Sequence, residues 1–434
     1  LDPLEHWAHA TPDETFLAER TASGDWRRMS YAQCLQAAMT IGQALIARGA
    51  GEERPVCILS ENSIDHALLI LGAMAVGVPA SSISTAYALQ SRDHAKLKQI
   101  VRALTPGVVY VADGVRYGAA LSALTSDGLL DGVEMVTSGA PPASGAATEF
   151  SSLLATGPAE EYAERRAKIG PDTVAKVLFT SGSTGHPKGV VNTHRMLCSN
   201  QQALAQLWPF LYEKRPVILD WLPWSHTFGA NHNFNLVLTH GGTLYIDEGK
   251  PAPGLIEKTI ANLREVSPTL IFNVPRGYDM LLPYLEADAA LRESFCRNLD
   301  LIFYSGAALP QPLWERLEAV AVQVRGARIP MVSSWGSTET APMATCVHFP
   351  ISRAGIIGSP APGNAIKLVP SGGKFELRVK GPCVTPGYWR QPAMTAQAFD
   401  EEGYYCMGDA GRLADAERPE RVAGHQRPRR EVEH

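Results

Sequence analysis

Two spacings of apolar residues alternate along most of the chain. Residues 55–59, 108–112 and 133–137 are short, nearly continuous apolar runs of the kind that form strands buried on both faces. Between them, residues 63–77 and 96–104 carry apolar side chains at helical spacing, with Asn62 or Ser63 placed to cap the first. Residues 1–50 read as helical with a short strand insertion, and residues 139–150 as a loop rich in Gly, Pro, Ser and Ala. The same rhythm returns later. Strands are predicted at 217–221, 243–246, 269–274, 299–304 and 330–333, and helices at 255–266, 278–285 and 312–324. Strands alternating with helices predict an α/β fold with parallel-type sheets. Past residue 341 the pattern turns to short strands and turns, and 366–379 reads as a β-hairpin about a Ser-Gly-Gly turn. No internal repeat appears.

Size and charge narrow the function. At 434 residues the chain has room for two or three domains. Its 39 basic and 44 acidic residues give a net charge of −5, which excludes a basic nucleic-acid footprint. The longest apolar run, residues 67–80, is interrupted by Gly72, Gly77 and Pro79 and is too short to span a bilayer. The seven cysteines are scattered without a CxxC pair, as expected of reduced thiols in a cytoplasmic protein. No signal peptide opens the sequence, and the absence of Met at position 1 points to a trimmed or partial start.

One stretch, residues 177–190, carries the most specific chemistry. An apolar run, Val177-Leu178-Phe179, feeds four hydroxyls, Thr180, Ser181, Ser183 and Thr184, interleaved with Gly182 and Gly185 and closed by Lys188 and Gly189. Glycines let the backbone wrap closely round a ligand, backbone N–H groups and hydroxyls make an anion-binding concavity, and a lysine adds a point charge. The stretch reads as a phosphate cradle. It is not a Walker A loop, because Pro187 precedes Lys188 and Gly189 follows it. Thr-Ser-Gly-Ser-Thr-Gly-His-Pro-Lys-Gly resembles the signature loop of the adenylate-forming superfamily, which joins ATP and a carboxylic acid as an acyl-adenylate.

Further motifs follow in the family's order. Residues 333–340, Ser-Ser-Trp-Gly-Ser-Thr-Glu-Thr, lie at a predicted strand end, where open α/β sheets bind ligands. Trp335 can stack on a purine, Thr338 can donate to phosphate, and Glu339 is a hard oxygen ligand for Mg²⁺ shared with phosphates. The stretch resembles the family's Tyr-Gly-x-Thr-Glu motif, with Trp335 in the Tyr place and Gly336 beside it. The resemblance places Ala307, Ala308 and Leu309 on the adenine wall, Gly306 at the boundary with the acyl pocket and Ser334 within that pocket. His226 and His232, six residues apart, do not share a helix face, and no Cys or carboxylate completes a metal set. Residues 221–235 instead resemble the motif whose His, here His226, borders the reacting carboxylate. Gly229, Asn231 and Phe234 are the expected lining of the acyl pocket. Residues 404–409 resemble the family's Gly-Asp motif, in which Asp409 accepts both ribose hydroxyls. His194 reads as structural.

The resemblance implies a large N-terminal region of two α/β subdomains, roughly residues 1–340, and a small β-barrel part, roughly 341–409. It implies ATP, Mg²⁺ and CoA, with Lys188, His226, Thr338 and Glu339 as the catalytic set. The texture of residues 220–251 is similar to the feruloyl-CoA synthetase branch, which implies a hydroxycinnamic acid. Alternatives are a fatty acyl-CoA synthetase, an adenylation enzyme serving a carrier protein, or an inactive nucleotide-binding remnant. Small-molecule partners, no nucleic acid, no membrane, and a monomer or homodimer are expected. The family's smaller C-terminal domain is not recognisable in residues 410–434. That tail is arginine-rich, without an apolar period or a lysine, and reads as disordered. A chain lacking that domain is expected to be impaired in catalysis.

Overall fold

A computed structural model describes residues 1–143, 145–157, 159–181, 186–415, 417 and 422–425. These form two compact units. The first comprises residues 1–198, 222–241 and 385–396; the second comprises residues 199–221, 242–384 and 397–434.

In the first unit, strands β1 (Thr15–Arg20) and β2 (Trp26–Ser30) pair as an antiparallel hairpin. A seven-stranded sheet follows. Its members are β3 (Val56–Leu59), β4 (Ala80–Ser82), β5 (Val108–Val111), β6 (Glu134–Thr137), β7 (Thr148–Glu149), β8 (Val174–Ser181) and β9 (Pro187–Thr193). Their spatial order is β7-β6-β5-β3-β4-β8-β9. All neighbours are parallel except the β8–β9 hairpin. β3 and β5 are buried at every position, as continuous apolar runs require when helices cover both faces. Helix Ile64–Ala75 begins where Ser63 accepts a hydrogen bond from the His66 N–H, a standard side-chain cap. Gly72 allows helix Tyr31–Ala47 to lie against it, because a Cβ there would stand 2.5 Å from Ile41 Cγ2. One face of the sheet packs on Leu97, Ile100, Val101 and Leu104 of helix Ala95–Leu104.

A lysine is also buried along this sheet. Lys176, in mid-β8, is 2% exposed. Its Nζ donates to the Ala230 carbonyl at 2.9 Å and to Asn231 Oδ1 at 3.3 Å. Asn231 Nδ2 in turn donates to Asn192 Oδ1 at 2.5 Å and Thr227 Oγ1 at 3.0 Å. Burial pulls the amine down to about 7, so the neutral form is stabilised.

The second unit carries β10 (Val217–Asp220) and β11 (Thr243–Ile246), paired in parallel. Its main sheet holds β12 (Leu270–Asn273), β13 (Leu301–Tyr304), β14 (Met331–Gly336), β15 (Met343–Cys346), β16 (Ile356–Pro360), β17 (Ala365–Ser371), β18 (Lys374–Lys380), β19 (Tyr405–Leu413) and β20 (Val422–His425). The order is β12-β13-β14-β15-β16-β20-β19-β18-β17. The first three strands are parallel and the rest antiparallel, so the parallel α/β part and the short-strand part share one hydrogen-bonded ladder. The core holds Trp208, Phe272 and Phe303 in mutual ring contact. Residues 422–425, expected within a disordered tail, form β20 between β16 and β19. Backbone pairing with two neighbours needs no apolar period, so composition gave no sign of it. Among the described residues no helix is long and apolar enough to cross a membrane.

The buried amine leads to a stability prediction. In the unfolded chain a lysine holds its proton to about pH 10.4. Folded Lys176 releases it near 7. Between those values the unfolded state binds the extra proton, so stability rises with pH at up to about 1.4 kcal/mol per pH unit. Wild type should therefore gain stability relative to Lys176→Met between pH 7 and pH 10, measured by urea unfolding. A difference that does not vary with pH would mean that the folded amine stays charged.

Candidate functional site

Each unit carries its own share of the motif residues. In the first, the phosphate-type loop is the turn of the β8–β9 hairpin. Thr180 pairs with Lys188 and Ser181 with Pro187 across it. Gly182, Ser183, Thr184 and Gly185 lie outside the described residues. The Thr180 hydroxyl is buried and has no protein partner among the described residues, which is costly unless a ligand supplies one. Lys188 is half-buried; its Nζ donates to Tyr388 Oη at 2.8 Å and lies 4.4 Å from the Tyr388 ring centre. Gly189 lets the base of the loop close up, since a Cβ there would meet Val177 Cγ1 at 2.9 Å. The Trp389 N–H donates to the Gly189 carbonyl at 2.7 Å, which brings Tyr388 alongside Lys188.

Further along the first unit, residues 228–233 form a π-helical turn, an insertion frequent at functional sites. His226 precedes it and is exposed. Its Nδ1 accepts the Phe228 N–H at 3.3 Å, so the neutral ring carries its proton on Nε2. Surrounding protein lowers its pKa through desolvation, which keeps that neutral form. The other acyl-pocket candidates of this segment lie elsewhere. Asn231 is fully buried in the Lys176 network. Phe234 is 1% exposed and packs against Trp224, with ring centres 5.1 Å apart. Gly229 is a packing glycine, whose Cβ would stand 2.4 Å from the Leu222 carbonyl oxygen. All three belong to the core because the π-turn rolls this face inward, so only His226 is exposed to meet a ligand. His194 is half-buried, and desolvation lowers its pKa to about 4, in keeping with a structural role.

In the second unit the motifs sit at the carboxyl ends of β13 and β14. Gly306 has φ of 82°, the left-handed region that favours glycine, and it turns the chain after Tyr304. Gly306, Ala307 and Ala308 are exposed, whereas Leu309 is buried. Ser334, Trp335 and Gly336 end β14, all half-buried. Gly336 has no room for a side chain: a Cβ would stand 1.8 Å from the Pro342 carbonyl oxygen. The Ser337 hydroxyl accepts the Glu339 N–H at 3.2 Å and caps a short turn, Thr338–Thr340. Asn200 Nδ2 pins that turn by donating to the Thr340 and Met343 carbonyls, both at 3.1 Å. Thr338 and Glu339 are 6% and 5% exposed. Asp409 lies in β19, and the Trp335 indole N–H donates to its Oδ2 at 3.0 Å.

Among the described residues no three His, Cys, Asp or Glu side chains gather to hold a metal ion. A single buried carboxylate, Glu339, fits Mg²⁺ that arrives already ligated by phosphates, since Mg²⁺ commonly keeps phosphate and water ligands.

The family model for AMP-binding enzymes matches residues 4–389. The chain belongs to the AMP-binding enzyme family. A probable non-canonical nonribosomal peptide synthetase, CymA of Salinispora arenicola, is 29% identical over 94% of this chain and 5% of its own length. The malonate–CoA ligase of Arabidopsis thaliana is 30% identical over 56% of this chain and 41% of its own. The chain thus spans less than half the length of these curated relatives. ATP-bound MatB from Rhodopseudomonas palustris shares the fold, with a TM-score of 0.74 at 24% identity over 98% of this chain and 78% of that one.

Three site residues had little or no signal in the sequence. Tyr388 sits in Pro386-Gly387-Tyr388-Trp389, where the Pro-Gly pair announces a turn but not its partner Lys188. Asn200 stands among polar residues, Ser199-Asn200-Gln201-Gln202, that mark no site. Lys176 directly precedes the apolar run that begins at Val177, where nothing marks it as buried.

Two substitutions test the phosphate and metal assignments. Glu339→Gln should weaken Mg²⁺–ATP binding while leaving metal-free nucleotide binding nearly unchanged. Lys188→Ala should weaken both. Each lost charge-assisted contact costs on the order of 1.5–3 kcal/mol, about one to two decades in affinity. Isothermal titration with and without Mg²⁺ would measure this, and wild-type affinity in both variants would show the phosphates are elsewhere.

Proposed function

We propose that the protein is an AMP-forming acid–CoA ligase that activates an aromatic, hydroxycinnamate-type acid. The observation that carries the reading is the buried Thr180 hydroxyl, without a hydrogen-bond partner among the described residues, at the head of a Gly/Ser loop that ends on Lys188. In the first half-reaction a carboxylate oxygen of the acid attacks the α-phosphorus of ATP. An oxygen–phosphorus bond forms, the bond to the bridging oxygen breaks, and pyrophosphate leaves. The protein's work is positioning and charge neutralisation. Thr180, the loop hydroxyls and Lys188 hold phosphate oxygens. Thr338 adds a hydroxyl donor, and Glu339 would hold Mg²⁺, which would offset phosphate charge. The His226 Nε2–H is a neutral donor suited to orient the attacking carboxylate. Ala307, Ala308 and Trp335 flank the adenine, and Asp409 takes the ribose hydroxyls. In the second half-reaction the CoA sulfur attacks the acyl carbon, the carbon–oxygen bond to AMP breaks, and AMP leaves.

The aromatic preference rests on the similarity of residues 220–251 to the feruloyl-CoA synthetase branch. Gly306 and Ser334, both in the second unit, are assigned to the acyl group by the resemblance. A second reading, an adenylation enzyme that loads a carrier protein, is favoured by the match to CymA across 94% of this chain.

Stable acyl-sulfamoyl-adenosine analogues test the acid class, because binding to the chain as it stands is the readout. The feruloyl analogue should bind at least about tenfold tighter than the octanoyl or malonyl analogue, with a correspondingly larger rise in Tm. Tighter binding of either aliphatic analogue would overturn the aromatic assignment. Feruloyl-CoA formation with ATP, Mg²⁺ and CoA would favour the ligase; acylation of a phosphopantetheine carrier alone would favour the second reading.

A further inference from the structure

Asp409 does not stand by itself on the second unit's sheet. It follows Met407 and Gly408, two residues that fall out of the β18–β19 register: Leu377 pairs with Asp409, and the next β18 residue, Arg378, pairs with Cys406. Gly408 has φ of 72°, so the strand bulges and re-aims the carboxylate that follows. A re-aimed, half-buried carboxylate needs something to fix its rotamer. The Trp335 indole N–H, 3.0 Å from Asp409 Oδ2, does so.

Trp335 is itself held. The β14–β15 register shifts between Trp335 and Gly336, which sets the indole's direction. Gly336 leaves no room for a side chain against the Pro342 carbonyl, so this position is held to glycine. The Ser337 hydroxyl contacts Met407 Sδ at 3.7 Å, a second tie between the same two segments. An indole N–H is a donor only, so its one hydrogen bond has one direction, toward the acid. A carboxylate offers about four acceptor positions, so this bond leaves acceptor capacity for a ligand's hydroxyls.

We propose that Trp335 is the positioning residue of the ribose site: its N–H orients Asp409, and the pair together recognises the ribose hydroxyls. The inference rests on the reading of Asp409 as the ribose acceptor. It gives Trp335 two separable parts, a ring face for the adenine and an edge for the ribose acid. The ring can be kept while the edge is removed.

Trp335→Phe makes that separation. ATP and 2′,3′-dideoxy-ATP are titrated calorimetrically against wild type, Trp335→Phe and Asp409→Ala. Wild type should prefer ATP by about tenfold or more. Trp335→Phe should lose most of that preference through weaker ATP binding, with dideoxy-ATP affinity within about threefold of wild type. A purely stacking or structural role would weaken both nucleotides alike and leave the preference intact, which would overturn the inference. Should the Phe variant fail to fold, Trp335→Leu and Trp335→Tyr are judged on the same ratio. A wild type without the preference, or Asp409→Ala retaining it, would instead overturn the reading of Asp409.

Discussion

The first unit depends on one buried hydrogen-bonded amine. Lys176 occupies the middle of the strand that runs into the phosphate-type loop, and its Nζ reaches the Ala230 carbonyl and Asn231 Oδ1. The π-helical turn at residues 228–233 frees backbone groups from the regular ladder, and the amine satisfies one of them. The same turn begins two residues after His226. One side chain thus ties the strand that delivers Thr180 to the segment that presents the histidine. A methionine of similar length would fill the space but leave a carbonyl and an amide oxygen unpaired in the core, where such losses are expensive. Neutral lysine avoids the larger penalty of a buried charge.

The second unit uses another device, the local fault in a ladder. Register shifts at Trp335/Gly336 and at Leu377/Arg378 are two of the places where side chains leave the regular alternation. They put an indole and a carboxylate edge to edge. Gly336 and Gly408 are the residues that permit these faults, one by lacking a side chain and the other by taking a left-handed backbone. The buried turn at Thr338–Thr340 is then fixed by the Ser337 cap and by Asn200. Chemistry is presented where regular structure ends, and rigid strands on either side set its position.

Much of this was legible in the sequence. Continuous apolar runs located β3, β5, β12 and β13, because strands buried on both faces leave no polar alternation to misread. The loop at Thr180 and the Trp335–Glu339 stretch were legible because few other chemistries need that order of glycines, hydroxyls and charge. Residues 228–234 were harder. Gly229, Asn231 and Phe234 were expected in the acyl pocket from the resemblance, but they are buried in the core at and just after the π-turn. Tyr388 meets Lys188 from 200 residues away, which no local pattern encodes. β20 was hidden because its pairing is made by backbone atoms, to which composition is blind.

The central proposal is that the loop at 180–189 and the stretches at 334–340 and 405–409 each take part in nucleotide binding. Hydrogen–deuterium exchange, followed by peptide with and without Mg²⁺–ATP, tests it most directly. Slowed exchange in all three stretches, with the fully buried strands at 56–59 and 108–111 unchanged, is the predicted result. Protection confined to other segments, or to only one of the three, would contradict it.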